Sequence, residues 1–78
     1  MEAMNRYKDI NGDSGVFEYE SGPDFIRVRF EKGGTYLWTA ASAGSTHIRN
    51  MQQLAQRGDG LNAYIHRYVR NSFARRER

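Results

Sequence analysis

The chain has no cysteine among its 78 residues, which excludes disulfides, thiol catalysis and any cysteine-ligated zinc or iron–sulfur site. Histidine is almost as scarce. His47 and His66 fall on separate expected helices, and neither has an acidic residue four positions on. A metal needs three or four converging ligands, so no metal and no cofactor is expected. No apolar run approaches the roughly 20 residues that span a bilayer, and the N-terminus lacks the apolar core of a signal peptide. The expectation is a soluble cytoplasmic domain with no membrane partner. Lysine occurs only at Lys8 and Lys32, so the second half of the chain is cationic through arginine alone. Repeats and low-complexity segments are also missing.

What is present is a globular composition, 38% hydrophobic, 13% aromatic and 27% charged. The length leaves room for one small domain, in which one layer must pack closely on another. Charge is unevenly placed. Residues 1–44 hold five basic and seven acidic residues, whereas residues 45–78 hold seven arginines against Asp59 and Glu77. The guanidinium fork suits phosphates and stacks on bases, so this asymmetry points to a polyanionic partner. Against it stands a plainer reading, in which cations near a helix end favour the dipole and keep the chain in solution.

Residues 1–15 show no period, and Asn11-Gly-Asp-Ser-Gly15 is turn chemistry; a flexible N-terminal arm is expected. Residues 16–19 read as a strand that puts Phe17 and Tyr19 on one face. Gly22-Pro23 stops it. Ile26, Val28 and Phe30 alternate with Phe25, Arg27 and Arg29 in the clearest strand of the chain. Glu31-Lys-Gly-Gly34 supplies a hairpin turn, and Tyr36 and Trp38 share a face of the next strand. Ala40 to Gly44 reads as a flexible link, with Ser45 or Thr46 capping a helix that carries Ile48, Met51, Leu54 and Ala55. Gly58-Asp-Gly60 separates it from a last helix. There Leu61, Tyr64, Ile65, Tyr68, Val69 and Phe73 form one stripe, with Arg67 and Arg70 nearly opposite.

The expected fold is α+β: a three-stranded antiparallel β-meander covered on one face by two C-terminal helices, in the order β-β-β-α-α. The domain is expected over residues 16–74, with helix ending near Phe73 or Ala74 and a loose Arg-rich tail over 75–78. The expected core comprises Phe17, Tyr19, Ile26, Val28, Phe30, Tyr36, Trp38, Ile48, Met51, Leu54, Leu61, Tyr64, Ile65, Tyr68, Val69 and Phe73.

Phe17-Glu-Tyr-Glu20, the strand Ile26-Arg-Val-Arg-Phe30, Gly34-Thr-Tyr36 with Trp38 two positions on, and Gly60-Leu-Asn62 with Ile65 occur in an order and spacing that resembles the KTSC domain family. This small module is found at the C-terminus of some lysyl-tRNA synthetases and as free-standing proteins. The similarity covers roughly Asp13 to Val69. Where the family usually carries Val-Pro after the aromatic strand, this chain has Ala40-Ala41. The resemblance implies no catalytic residues, and it makes contact with RNA an expectation by analogy.

No reaction emerges from the residues. Ser45 and His47, two apart at a helix start, do not face each other, and nothing brings Asp59 to them. Gly33-Gly34 joins two strands and opens no helix, so it is no phosphate-binding loop. The candidate nucleic-acid residues are Arg67, Arg70, Arg75 and Arg76 at the C-terminus, with Arg27 and Arg29 on the outer sheet face beside Thr35, Leu37 and Phe25. Arg27 or Arg29 pairing with Glu18 is the competing reading of that face. A non-enzymatic module that binds RNA or single-stranded nucleic acid weakly is expected, as a monomer or weak homodimer; a protein partner is the alternative.

Overall fold

Alternation of β-branched and aromatic residues with polar ones makes Phe25–Phe30 the centre of an antiparallel sheet. A computed structural model of the chain describes residues 4–8 and 15–77. Its strands are β1 (Asn5–Arg6), β2 (Val16–Ser21), β3 (Phe25–Phe30), β4 (Gly34–Thr39) and β5 (Arg75–Arg76). They lie side by side in chain order. Val28 sits opposite Tyr19 and Tyr36, and Ile26 opposite Ser21 and Trp38. These rows form the inner face, where Ile26 and Val28 are fully buried.

Between β4 and β5 come α1 (Ala40–Ala43), α2 (Ser45–Arg57) and α3 (Leu61–Tyr64), the last continuing as a π-helical segment, Ile65–Val69. Ile48, Met51 and Ala55 of α2 and Leu61, Ile65 and Val69 of the last helix join the sheet's inner face in one core. Two polar links fix that layer. The Trp38 indole donates to the Val69 carbonyl at 2.9 Å, and Gln52 donates to the carbonyls of Gly22 and Phe25 at 2.7 and 2.9 Å. Among the described residues no helix is long and apolar enough to cross a membrane.

The sheet has five strands where three were expected. The two additional strands are the segments read as arm and tail. Asn5 and Arg6 pair with Tyr19 and Glu18, and Arg75 and Arg76 pair with Leu37 and Tyr36. Two charged or polar residues carry no readable period, and short charged edge strands suit a sheet that must not pair further. The arm also supplies a core residue, since Tyr7 is only 3% exposed and its hydroxyl accepts the Leu61 amide at 3.3 Å. Ile10 and the turn at 11–14 lie outside the described residues.

The strand at 16–19 faces differently from the expectation. The β2–β3 register slips between Val16 and Glu18, so Val16 and Tyr19 are buried while Phe17 turns outward. A bulge places two residues opposite one, which breaks strict alternation. The expected flexible link is instead α1, capped by reciprocal bonds between Thr39 and Ser42 at 3.1 Å. Gly44, and neither Ser45 nor Thr46, occupies the cap position of α2, with no side-chain cap. The last helix stops at Val69 and not near Phe73. Its π turn, bonded i to i+5, widens the spiral. Residues four apart (Leu61, Ile65, Val69) stay aligned on the core, while Tyr68 rotates outward to 52% exposure.

Candidate functional site

The strand registers sort the candidate arginines by face. Glu20, Arg27, Leu37 and Arg75 form one row across the outer face, and Arg6, Glu18, Arg29 and Thr35 the next. Opposite charges therefore alternate across neighbouring strands, the arrangement that stabilises a sheet surface. Arg27 Nε meets Glu77 Oε1 at 2.6 Å and its Nη2 meets Oε2 at 3.3 Å, while Nη1 bonds Glu20. Arg75 reaches the same Glu77 carboxylate at 3.1 Å. Arg29 pairs with Glu18 at 3.0 Å. The bond from Arg27 holds the Glu77 carboxyl below its ordinary range against the opposing cost of burial, and Arg75 adds to the effect.

Aromatic rings absorb the remaining reach of these cations. Arg6 and Arg29 lie over Phe17 at 4.4 and 5.3 Å from its centroid, and Arg27 lies 5.5 Å from that of Phe25. Phe25 and Leu37 are half-buried and Thr35 is buried. Arg27, Arg29 and Arg75 are thus brought together in a set balanced by Glu18, Glu20 and Glu77.

The helical side is arranged otherwise. Arg67 and Arg70 are exposed, and neither has a carboxylate within 4.0 Å among the described residues. Arg67 lies over the Tyr68 ring at 5.6 Å, and Arg76 over the Tyr36 ring at 5.6 Å. Where the last helix ends, the chain turns back and Phe73 packs edge-on against Tyr36 and Trp38, with centroids 4.9 and 6.3 Å apart. A cleft of about 700 Å³ opens there, between the β3–β4 turn and the end of the helix. Phe30, Tyr36, Trp38, Ile65 and Phe73 line its apolar part, and Lys32, Arg70, His66, Asn62, Asn71 and Glu31 its polar part.

The sequence places Phe30, Tyr36 and Phe73 in the core; the structure leaves them half-buried at the cleft. The signal that the stripe was not wholly core was Phe73, twelve residues beyond Leu61 and past any firm helical support. His47 also has an unexpected setting. Its Nδ1 lies 2.6 Å from the Tyr64 hydroxyl, which also accepts from Asn50 at 3.1 Å, and its ring stacks on Tyr68. Among the described residues no group of three or more His, Cys, Asp or Glu side chains gathers as a metal site would require.

No family model, curated protein or solved structure matches the chain.

Proposed function

We propose that the chain is a small non-enzymatic module that binds RNA or single-stranded nucleic acid weakly, in the cytoplasm, through the basic end of its last helix. The observation that carries this reading is the contrast between two sets of arginines. Arg27, Arg29 and Arg75 are neutralised on the outer sheet face, whereas Arg67 and Arg70 face solvent without a carboxylate partner among the described residues. Unneutralised guanidinium groups on a helix surface are suited to phosphate oxygens, which position a strand without reading its sequence. The resemblance to the KTSC domain, a companion of some lysyl-tRNA synthetases, supports the same partner by analogy.

Fluorescence anisotropy of a labelled single-stranded RNA from about 25 to about 300 mM salt tests this. Binding should weaken linearly on a log–log plot, by a slope of about 0.7 for each phosphate neutralised. Changing Arg67 and Arg70 together to Glu should abolish binding and leave the circular dichroism spectrum unchanged. Unaltered affinity in that double variant removes the helix from the interface.

A second reading, a protein-interaction module or weak homodimer, is favoured by Tyr68, an exposed aromatic beside Arg67. Tyrosine and arginine are the residue types that concentrate binding energy at protein contacts. Sedimentation at high protein concentration tests the homodimer: a monomer mass removes it and leaves a second protein as the partner of this reading.

A further inference from the structure

We infer that the aromatic cleft beside Arg70 is a nucleotide subsite, holding one unstacked base of the bound strand. The inference rests on the nucleic-acid reading and adds to it the part of the ligand that enters the protein. Three properties of the cleft choose the occupant.

The first is its size. About 700 Å³ is within the range of pockets that enclose a small organic molecule and ample for one nucleotide. The second is the set of rings. Phe30 stands at 78° to Tyr36, and Phe73 at 69° to it, with centroids 6.0 and 4.9 Å apart. Neighbouring rings nearly perpendicular to one another offer a flat guest one face to stack on and one edge to abut, the geometry that aromatic pairs prefer. A nucleobase is such a guest, and stacking tolerates any base because every base has a π face. Asn62 and Asn71 add amide donors and acceptors suited to base edges.

The third is charge. Lys32 on the hairpin turn and Arg70 just past the helix end flank the cleft from two sides, against one acid among the described residues, Glu31. An aromatic floor between two cations complements a planar ring carrying a phosphate. Arg70, just past the helix end, and Arg67 both lack a carboxylate partner among the described residues, so a strand running along that surface reaches the cleft.

Trp38, the only tryptophan of the chain, lies buried beneath the cleft with its ring against Phe73, so its emission reports on occupancy through that contact. Its emission should change when adenosine monophosphate or a single-stranded RNA is added to the intact protein. A duplex of the same sequence should leave it unchanged, because stacked and paired bases cannot enter. Phe73→Leu should weaken single-stranded RNA about tenfold, the loss of one base–aromatic stack, and leave the salt slope as it was. Salt-dependent strand binding with a silent Trp38 and an unaffected Phe73→Leu variant overturns the subsite alone. No binding of any strand at low salt overturns the nucleic-acid reading. In that case a Trp38 response to the mononucleotide assigns the cleft to free nucleotides and overturns the strand inference, and no response overturns the subsite itself.

Discussion

At Glu77 one carboxylate gathers Arg27 through two bonds and Arg75 through a third. The forked geometry of Arg27 makes this stronger than a point-charge contact. Because the Glu77 pKa is lowered in the folded chain, its contribution to stability is complete above the unfolded value. That contribution is lost as pH falls through the folded value. Glu77→Gln should therefore lower Tm at neutral pH by about 4–8 °C, the shift for about 1 kcal/mol in a domain this small. Thermal melts followed by circular dichroism should show the difference from the parent chain shrinking in acid, below the ordinary carboxyl value of 4.5. A difference that stays constant to low pH removes the ion pair as its cause. The Arg29–Glu18 pair was legible in the sequence, since strand alternation sets those residues on one face of adjacent strands. The Glu77 contact was not, because it joins residues 50 apart and depends on a two-residue strand without a pattern.

At the scale of elements, β3 and β4 were readable because strict alternation fixes their faces, and α2 because its apolar residues recur every three or four. β2 was misread at its start, since the bulge moves Val16 inward and Phe17 outward. The end of the last helix was misread because a π turn changes the angular step that the pattern assumes. The joint between α2 and α3 offers a comparison of two glycines. Gly58 and Gly60 both adopt left-handed backbone, at φ of 77° and 85°. Alanine at either position incurs the cost of that conformation, about 1–2 kcal/mol. At Gly60 the added methyl meets Leu54 at an ordinary 3.6 Å, while at Gly58 it overlaps Lys8 Cβ and would push the arm away. Urea denaturation should show Gly58→Ala destabilising by at least about 1 kcal/mol more than Gly60→Ala. Equal losses mean that the arm yields freely and is not held by this contact.

At the scale of the molecule, the two faces of the sheet differ in their electrostatics. On the outer face Arg27, Arg29 and Arg75 meet Glu18, Glu20 and Glu77, whereas on the helical side Arg67 and Arg70 have no carboxylate partner among the described residues. The charge asymmetry of the sequence was thus legible, but its division between faces was not: it depends on which arginines meet carboxylates from distant strands. The cleft was hidden for a related reason. It forms only because Phe73 folds back after the helix has ended, and no helical period describes that turn. Removing residues 75–78 deletes β5 and exposes the six-residue edge of β4. That chain should melt at a lower temperature than Glu77→Gln and associate with rising concentration, as seen by sedimentation, because a bare edge is a template for pairing. A monomer with unchanged Tm shows that β5 contributes nothing to the sheet.

The strand order, β1 through β5 in sequence, also bears on how the molecule assembles. Each of the first three strands pairs with its immediate successor across a local connection. Closing short loops costs little chain entropy, and topologies dominated by local contacts fold quickly. Only β5 must wait, since the whole helical layer intervenes between it and β4. Loop closure therefore falls mostly on one late step, the docking of Arg75–Arg76. Phe73 crosses to Tyr36 within two residues of that strand, so the aromatic cleft takes shape in the same closing step.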